Sequence, residues 1–556
     1  MKEGQSFYEY IGDETSPMKI GSIIRDAESR RDTHTVMYVY SLNKRIVEFI
    51  ETFLRLGYTD ITAAGGETRV KQFKYIIGRG GVAIKLFARC SCGARITIFN
   101  FSLIIRGKKY DLRKSYGHSH LVDNMQDAIE QLQAFGAVDK PTIGSASMAI
   151  YRNMVKEEFN YQFKFPNTIY KLDPEPWMRH CQNIADFCRM SYMGGWNYCN
   201  PEFTQKHIDE GITYDNNGLY PYVLTAFKYP VGKPVASWKG ERPKYLDGMD
   251  SRYSFYMIKA MFHVKPDKFP FLKIRNDVSV RSNKLVTATV KPATLVLTET
   301  DWELFNECYE IERLEHIGGI AFQAEPGEKL FGNYIHTFAD IKANNTGVIR
   351  FTAKMFLNNL GGKFGSSTDS THYLYEPEHP GMLNVVFENE RRGSYIPVAS
   401  AMTAYARRVT IKSALENKDR FIYSDTDSIH LNGKEPPVGL DIDPVRLGAW
   451  KIEEEWKDGY YTGLKVYSQT ITNGTVEYAE ENDDDVYVTN INYVNAGLTD
   501  PEKIEVIKIA TESGLSPAEH IKKIRDRMNA PEAKEARKKA FYEAIGQHRF
   551  DMDLNS

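Results

Sequence analysis

The sequence predicts a mixed α/β and α+β multidomain protein, on three observations. The chain has 556 residues, 42% of them hydrophobic, enough for a sizeable core and roughly two to four domains. Strand-like and helical periodicities alternate through about the first 180 residues. Beyond a turn at Met193-Gly194-Gly195, strands mix with a long helix and a strand hairpin up to about residue 495, and the remainder is mainly helical.

Taken in order, Thr35 to Leu42 and Arg95 to Ile105 read as strands. Lys44 to Leu56 and Asp123 to Phe135 read as helices, so the N-terminal segment could be a domain by itself. Glu480 to Asp485 is an acidic run expected to be a solvated loop. Ser516-Pro517-Ala518-Glu519 has the form of a capping box with proline at the first helical position, opening a basic stretch with Lys522, Lys523, Arg525 and Arg527. Lys and Arg number 71 against 73 Asp and Glu, so any nucleic-acid surface must come from local clustering. Six cysteines in so long a chain make no disulfide framework, and a reduced, cytoplasmic compartment is the expectation. Cys90-Ser91-Cys92 is the one close pair and lacks a partner at zinc spacing. No apolar run approaches the roughly 20 residues of a membrane helix, and the N-terminus lacks the order of a signal peptide, so neither export nor membrane embedding is expected.

Chemistry is concentrated in three stretches. Phe421-Ile422-Tyr423-Ser424, then Asp425-Thr426-Asp427, then Ser428-Ile429-His430-Leu431 reads as two strands around an acidic turn. In extended chain Asp425 and Asp427 share a face, and their repulsion favours a bound cation. Such turns also occur for solvation alone. In Tyr214-Asp215-Asn216-Asn217-Gly218-Leu219-Tyr220-Pro221 an acid ends a strand and an aromatic follows, either a second metal ligand with a neighbouring wall or a structural strand edge. Phosphoryl transfer needs little covalent help from protein, but it needs cations held by hard oxygen ligands. From Ile349 to Leu360 a helix is expected, with Ile349, Ala353, Phe356 and Leu360 as its apolar stripe. Arg350, Lys354 and Asn358 stack at four-residue steps on another face, suited to a triphosphate unless they are simply solvated. Gly361 and Gly362 follow at once and would permit close approach of a nucleotide or of backbone.

In this order the three stretches resemble motifs A, B and C of family B DNA polymerases, specifically the protein-primed polymerases of small phages, the phi29-like group. Tyr192-Met193-Gly194-Gly195 is similar to the family's YxGG motif, Thr403-Ala404-Tyr405-Ala406-Arg407 to its TxxAR motif, and Lys465-Val466-Tyr467 to its KxY motif. The resemblance implies a right-hand polymerase of palm, fingers and thumb with an N-terminal exonuclease-like (RNase H-like) α/β domain. Its divisions would be 1–187 exonuclease-like, 188–226 palm, 227–329 a terminal-protein-region insertion, 330–365 fingers, 366–395 a second such insertion, 396–495 palm and 496–556 thumb. It implies that Asp215 and Asp427 bind two Mg²⁺ ions, for which Mn²⁺ can substitute, with Asp425 shaping the site and Glu453 as a supporting acid. Leu219, Tyr220, Lys342, Arg350, Lys354 and Asn358 would bind the incoming nucleotide, Tyr220 blocking a 2′-hydroxyl. Tyr192, Gly194 and Gly195 would contact template, and Thr403, Arg407, Lys465 and Tyr467 the primer end. Partners would be template and primer DNA, deoxynucleoside triphosphates and a terminal protein as primer. The expected state is a monomer in a bacterial host cytoplasm, synthesising processively with strand displacement.

Two departures stand out. Motif B usually carries tyrosine where Gly361 stands, so a roomier nucleotide site is expected; Gly218 replaces a usual serine in motif A. In the N-terminal segment only fragments of a proofreading site remain: Asp26-Ala27-Glu28 has the DxE spacing, Asp127 lies on an expected helix, and Asp123 stands where a tyrosine is usual. A degenerate exonuclease-like domain is the expectation. Three functions remain open: a protein-primed replicative polymerase, a conventionally primed or primer-independent one, and a catalytically inactive DNA-binding homologue.

Overall fold

The alternating pattern of the N-terminal segment becomes a six-stranded mixed sheet. The computed structural model describes residues 5–7, 20–29, 34–39, 42–64, 66–78, 82–104, 121–246, 251–274, 279–366, 370–375, 383–388, 394–479 and 486–515. Strands β1 (Gln5–Phe7), β2 (His34–Val39), β3 (Thr59–Asp60), β4 (Gln72–Gly78), β5 (Val82–Arg89) and β6 (Arg95–Asn100) lie in the order β1-β2-β6-β5-β4-β3. Period-two alternation divides the side chains of β2 between two cores. Met37 and Val39 join Ile24 of helix α1 (Ile20–Ser29) and Phe49 and Phe53 of α2 (Ile46–Arg55), whereas Val36 and Tyr38 meet Met125 and Leu132 of α3 (Leu121–Ala134).

That second face is not a boundary. The same core runs on through α4 (Ile143–Val155) and α5 (Ile184–Met190) into three later helices, α8 (Gly327–Asn344), α9 (Gly347–Phe364) and α10 (Ile396–Glu416). Tyr151 of α4 stacks on Phe331 of α8 with ring centroids 5.6 Å apart. The N-terminal sheet thus has one core of its own and shares its second apolar face with later helices.

Between α6 (Leu219–Ala226) and α8 an insertion builds its own sheet. Strands β9 (Lys228–Lys239), β10 (Arg252–Val264), β11 (Ser279–Ser282), β12 (Leu285–Thr289), β13 (Ala293–Thr298) and β14 (Tyr309–Pro326) form it, and α7 (Glu299–Cys308) packs on it, capped by the Thr298 side chain. A hairpin of β15 (Ser370–Tyr375) and β16 (Leu383–Glu388) docks its Tyr373 and Tyr375 against the core beneath the N-terminal sheet.

The central sheet is antiparallel and holds the chemistry. Strands β7 (Asn197–Cys199), β8 (His207–Asn216), β17 (Phe421–Asp425), β18 (Ser428–Asn432), β19 (Trp450–Gly463), β20 (Val466–Ile471) and β23 (Ile491–Asn495) run in the order β23-β20-β19-β8-β18-β17-β7. A ribbon of β21 (Val476–Ala479) and β22 (Val486–Thr489) and helix α11 (Asp500–Ser513), which opens with a capping box from Thr499 to Glu502, pack at its far edge. The acidic run at 480–485 and the basic stretch after Ser516 lie outside the described residues. No helix of the described residues is long and apolar enough to cross a membrane.

Candidate functional site

Two acids from distant stretches of chain meet, one on a strand and the other in the turn that opens the neighbouring strand. Register pairs Asp215 of β8 with Ser428 of β18 on one side and with Lys451 of β19 on the other. The Lys451 ammonium holds one Asp215 oxygen at 2.7 Å. Asp427 lies in the turn just before β18, and its carbonyl accepts from the Asn216 amide at 2.7 Å.

The turn itself is strained and held from several sides. Thr426 has φ of 69°, rare for a β-branched residue. Its amide donates to the Trp196 carbonyl at 2.8 Å, and its carbonyl accepts from the Thr410 hydroxyl at 2.8 Å. The chain reverses at Thr426, as an acidic turn between two strands requires, and the two carboxylates line one cleft in different environments. Asp425 accepts from the Asn197 amide at 2.6 Å and pairs with Lys465 at 3.1 Å. Asp427 stays in the cleft, where burial, then Asp215 and Asp425, push it up to about 6 against the pull of Lys354.

Glu453 enters the same cleft through a bulge. The pairing of β19 with β8 slips between Ile452 and Glu454, leaving Glu453 as the extra residue, a device that re-aims one side chain. Burial and then the Asp215 charge raise it to about 7. Asp215, Asp425, Asp427 and Glu453 thus line one cleft of about 540 Å³.

Helix α9 supplies the facing charge. Arg350, Lys354 and Asn358 are all exposed on one stripe, whereas Val348, Ala353, Phe356 and Leu360 are buried. Ile349 is 37% exposed, so the apolar stripe begins at Val348 instead. The Arg350 guanidinium donates to the Lys342 carbonyl. Burial and then the Lys354 and Arg350 charges lower the Lys342 ammonium, with Asp215 pulling the other way, so these cations and the cleft lie within electrostatic reach.

Other expected residues hold different places. The glycines do not end the helix: α9 runs through Gly361 and Gly362 to Phe364. A Cβ at Gly361 would stand 2.2 Å from the Met402 sulfur. The expected roomier site is corrected, since Met402 of α10 fills that space. Leu219 is 1% exposed, its side chain packed in the core. Tyr220, in the first turn of α6 behind Gly218 at φ 66°, is pushed up to about 12 by burial; its hydroxyl lies 3.1 Å from where a Gly195 Cβ would be. That Cβ would also strike Thr426, so Gly195 keeps loop and acidic turn in contact. Tyr192 abuts Gly365 at the end of α9.

Arg407 is fully buried, with one terminal nitrogen held by both Asp301 oxygens at 2.7 Å and the other donating to the Gly194 carbonyl. Thr403 is also buried, its hydroxyl spent on carbonyls of α10. Direct contact of these two buried side chains with DNA is therefore corrected: Arg407 positions the glycine loop, and Thr403 bonds within its own helix. Lys465 is half-exposed beside Asp425, while Tyr467 stacks on Tyr461 with centroids 5.0 Å apart. Two residues that motif reading missed are Lys451, two positions before Glu453, and Lys273, whose ammonium bridges the Met193 and Gly195 carbonyls at 3.0 and 2.9 Å.

Of the residual exonuclease set, Glu28 and Asp127 do not come together. Asp26 and Glu28 both lie on helix α1. Glu28 accepts from the Tyr58 hydroxyl at 2.7 Å and pairs with Lys71 at 3.3 Å. Asp127 is on α3, which covers the opposite face of the sheet.

Among the described residues no three histidine, cysteine or carboxylate side chains converge as a ready metal cage. Mg²⁺ is ordinarily held by one or two carboxylates plus substrate phosphates and waters, and the Asp215 and Asp427 oxygens, with Asp427 destabilised by its neighbour, fit that donor set.

Comparison with known proteins agrees with this geometry. Residues 116–442 match the family described as DNA polymerase type B, organellar and viral. The DNA polymerase of Bacillus phage phi29 is 32% identical over 398 residues, which are 70% of this chain and 66% of that one. That of Bacillus phage Nf is 32% identical over 378 residues, 66% of this chain and 62% of that one. The chain thus aligns with less than two thirds of the length of these relatives. Among solved structures, phi29 DNA polymerase complexed with primer-template DNA and incoming nucleotide substrates superposes with a TM-score of 0.71 at 24% identity, over 87% of each chain. The chain belongs to the organellar and viral type B DNA polymerases.

Proposed function

We propose that the chain is a template-directed DNA polymerase, and that the cleft between Asp215 and Asp427 is its centre for deoxynucleotidyl transfer. The observation that carries this reading is the meeting of Asp215 on β8 with Asp427 in the turn that opens the neighbouring β18, within reach of the cationic face of α9. In the proposal Lys342, Arg350 and Lys354 bind and orient the triphosphate, and Asn358 continues that row toward the nucleoside. Tyr220 lies beneath the sugar and excludes a 2′-hydroxyl. Asp425, tied to Asn197 and Lys465, holds the turn in shape. Asp215 and Asp427 would hold the Mg²⁺ ions, which supply Lewis acidity toward the primer hydroxyl and charge neutralisation on the phosphates. Primer extension with Mg²⁺ tests the reading: it should fall at least about a thousandfold in Asp427→Ala, and an unchanged rate would place the chemistry elsewhere.

Protein priming and strand displacement belong to the same proposal. Family membership supports them, together with the sheet inserted between α6 and α8 and the hairpin of β15 and β16, which stand at the two insertion points expected of the phi29-like group. Labelled dATP should become attached to a terminal protein bearing a serine, threonine or tyrosine hydroxyl. Rolling-circle extension that stalls at the first duplex would count against displacement.

A further inference from the structure

Asp215 stands in the acidic cleft already paired to a cation. Lys451 lies directly across from it in the register of β8 and β19, so the two side chains leave the same face of the sheet. The ammonium and the carboxylate meet at 2.7 Å, each partly buried. As a purely structural pair this would be a poor device. A partly exposed ion pair adds little to stability, and this one spends a carboxylate oxygen of the kind that a divalent cation needs.

The surroundings of the ammonium point to a second use. On one side is Glu453, which burial and then Asp215 raise and Lys451 pulls back. On the other is Lys342 of α8, which burial and then Lys354, Arg350 and Lys451 lower. Lys451 therefore acts on both the acids of the cleft and the cationic row that faces them. Once Asp215 serves a divalent cation, that ion repels the Lys451 ammonium as well. The triphosphate assigned to Lys342, Arg350 and Lys354 then brings the negative charge that can meet it. A lysine suits such an exchange, because its ammonium sits on a flexible stem with three rotatable donors, whereas an arginine fork would grip the carboxylate through both oxygens.

We propose that Lys451 is a further triphosphate-binding residue, held by Asp215 in the metal-free chain and released to the phosphates of the incoming nucleotide when Asp215 gives its oxygens to a divalent cation. The inference rests on the cleft being the centre of nucleotidyl transfer, and it adds a cation from β19 to those of α8 and α9.

The test compares two affinities in the full chain, both read by calorimetry. The first is for Mn²⁺ alone, counting the binding that is lost in Asp215→Asn. The second is for dATP at saturating Mn²⁺, on a primer-template ended by a dideoxynucleotide so that no transfer occurs. In Lys451→Met, Mn²⁺ should bind about threefold more tightly, since Asp215 loses its competitor, and dATP about tenfold more weakly. In Lys451→Arg, Mn²⁺ should bind more weakly than to the natural chain, because the fork holds Asp215. A lysine with only a structural role does not give opposite signs for ion and nucleotide. The proposal is overturned if both affinities fall together in Lys451→Met, if either equals that of the natural chain, or if Lys451→Arg binds Mn²⁺ as tightly as the natural chain. A natural chain that fails to bind dATP, or that binds Mn²⁺ no better than Asp215→Asn, would instead strike the reading of the cleft itself, and this inference with it.

Discussion

Burial puts the acids of the cleft at odds with their own charge. Asp427 is raised to about 6 and Glu453 to about 7, in each case by desolvation first and by the Asp215 charge second. Unfolded carboxylates titrate near about 4, so between about pH 4 and about pH 7 the folded chain binds more protons than the unfolded one, and stability falls as pH rises through that window. Melting in EDTA across these pH values should show this decline, and Asp427→Asn should flatten it and gain about 1 to 2 kcal/mol at the upper end. Added Mg²⁺ should restore stability to the natural chain and not to Asp427→Asn; equal slopes for the two proteins would sink the idea. These residues were legible as acids in a motif. The left-handed backbone of Thr426 was not, because its amide and carbonyl are held by Trp196 and Thr410 from other stretches of chain.

Helix α10 joins three parts of the molecule through one buried arginine. Arg407 pairs with Asp301 in the first turn of α7 and reaches the Gly194 carbonyl, so insertion, helix and glycine loop are tied together beside the acidic turn. Arg407→Met leaves Asp301 buried and unpaired and should cost about 3 to 5 kcal/mol in urea unfolding, much of it recovered in Arg407→Met with Asp301→Leu. A loss of a few tenths would show the pair to be dispensable. The same helix packs Met402 against Gly361 of α9. Gly361→Tyr is therefore expected to lose about 1 to 3 kcal/mol by overpacking, and adding Met402→Ala should relieve part of it. Additive costs in the double variant would mean that the two side chains do not compete for one space. Helical spacing predicted α9 and its cationic stripe well. It could not predict that the helix continues through two glycines, since glycine disfavours a helix locally and only packing against α10 makes its small size useful.

For the whole molecule, a net charge of −2 hides local positive surfaces, and DNA binding should draw on those alone. Affinity for primer-template DNA, followed by fluorescence anisotropy, should drop at least about tenfold between about 50 and about 200 mM salt; a salt-independent affinity would contradict phosphate contacts as its source. Metal-dependent degradation of single-stranded primer is not expected, because Asp26–Glu28 and Asp127 belong to helices on opposite faces of the N-terminal sheet. By itself the sequence determined the mixed α/β class, the strands and helices of regular period, the acidic and cationic motifs and their resemblance to a polymerase family, because these depend on residue type and short-range spacing. Only the tertiary structure decided that Asp215 of β8 meets Asp427 in the turn that opens β18, that a bulge turns Glu453 toward them, and that Arg407 is buried. Those facts arise from strand register and from packing between residues far apart in sequence, to which local periodicity carries no information.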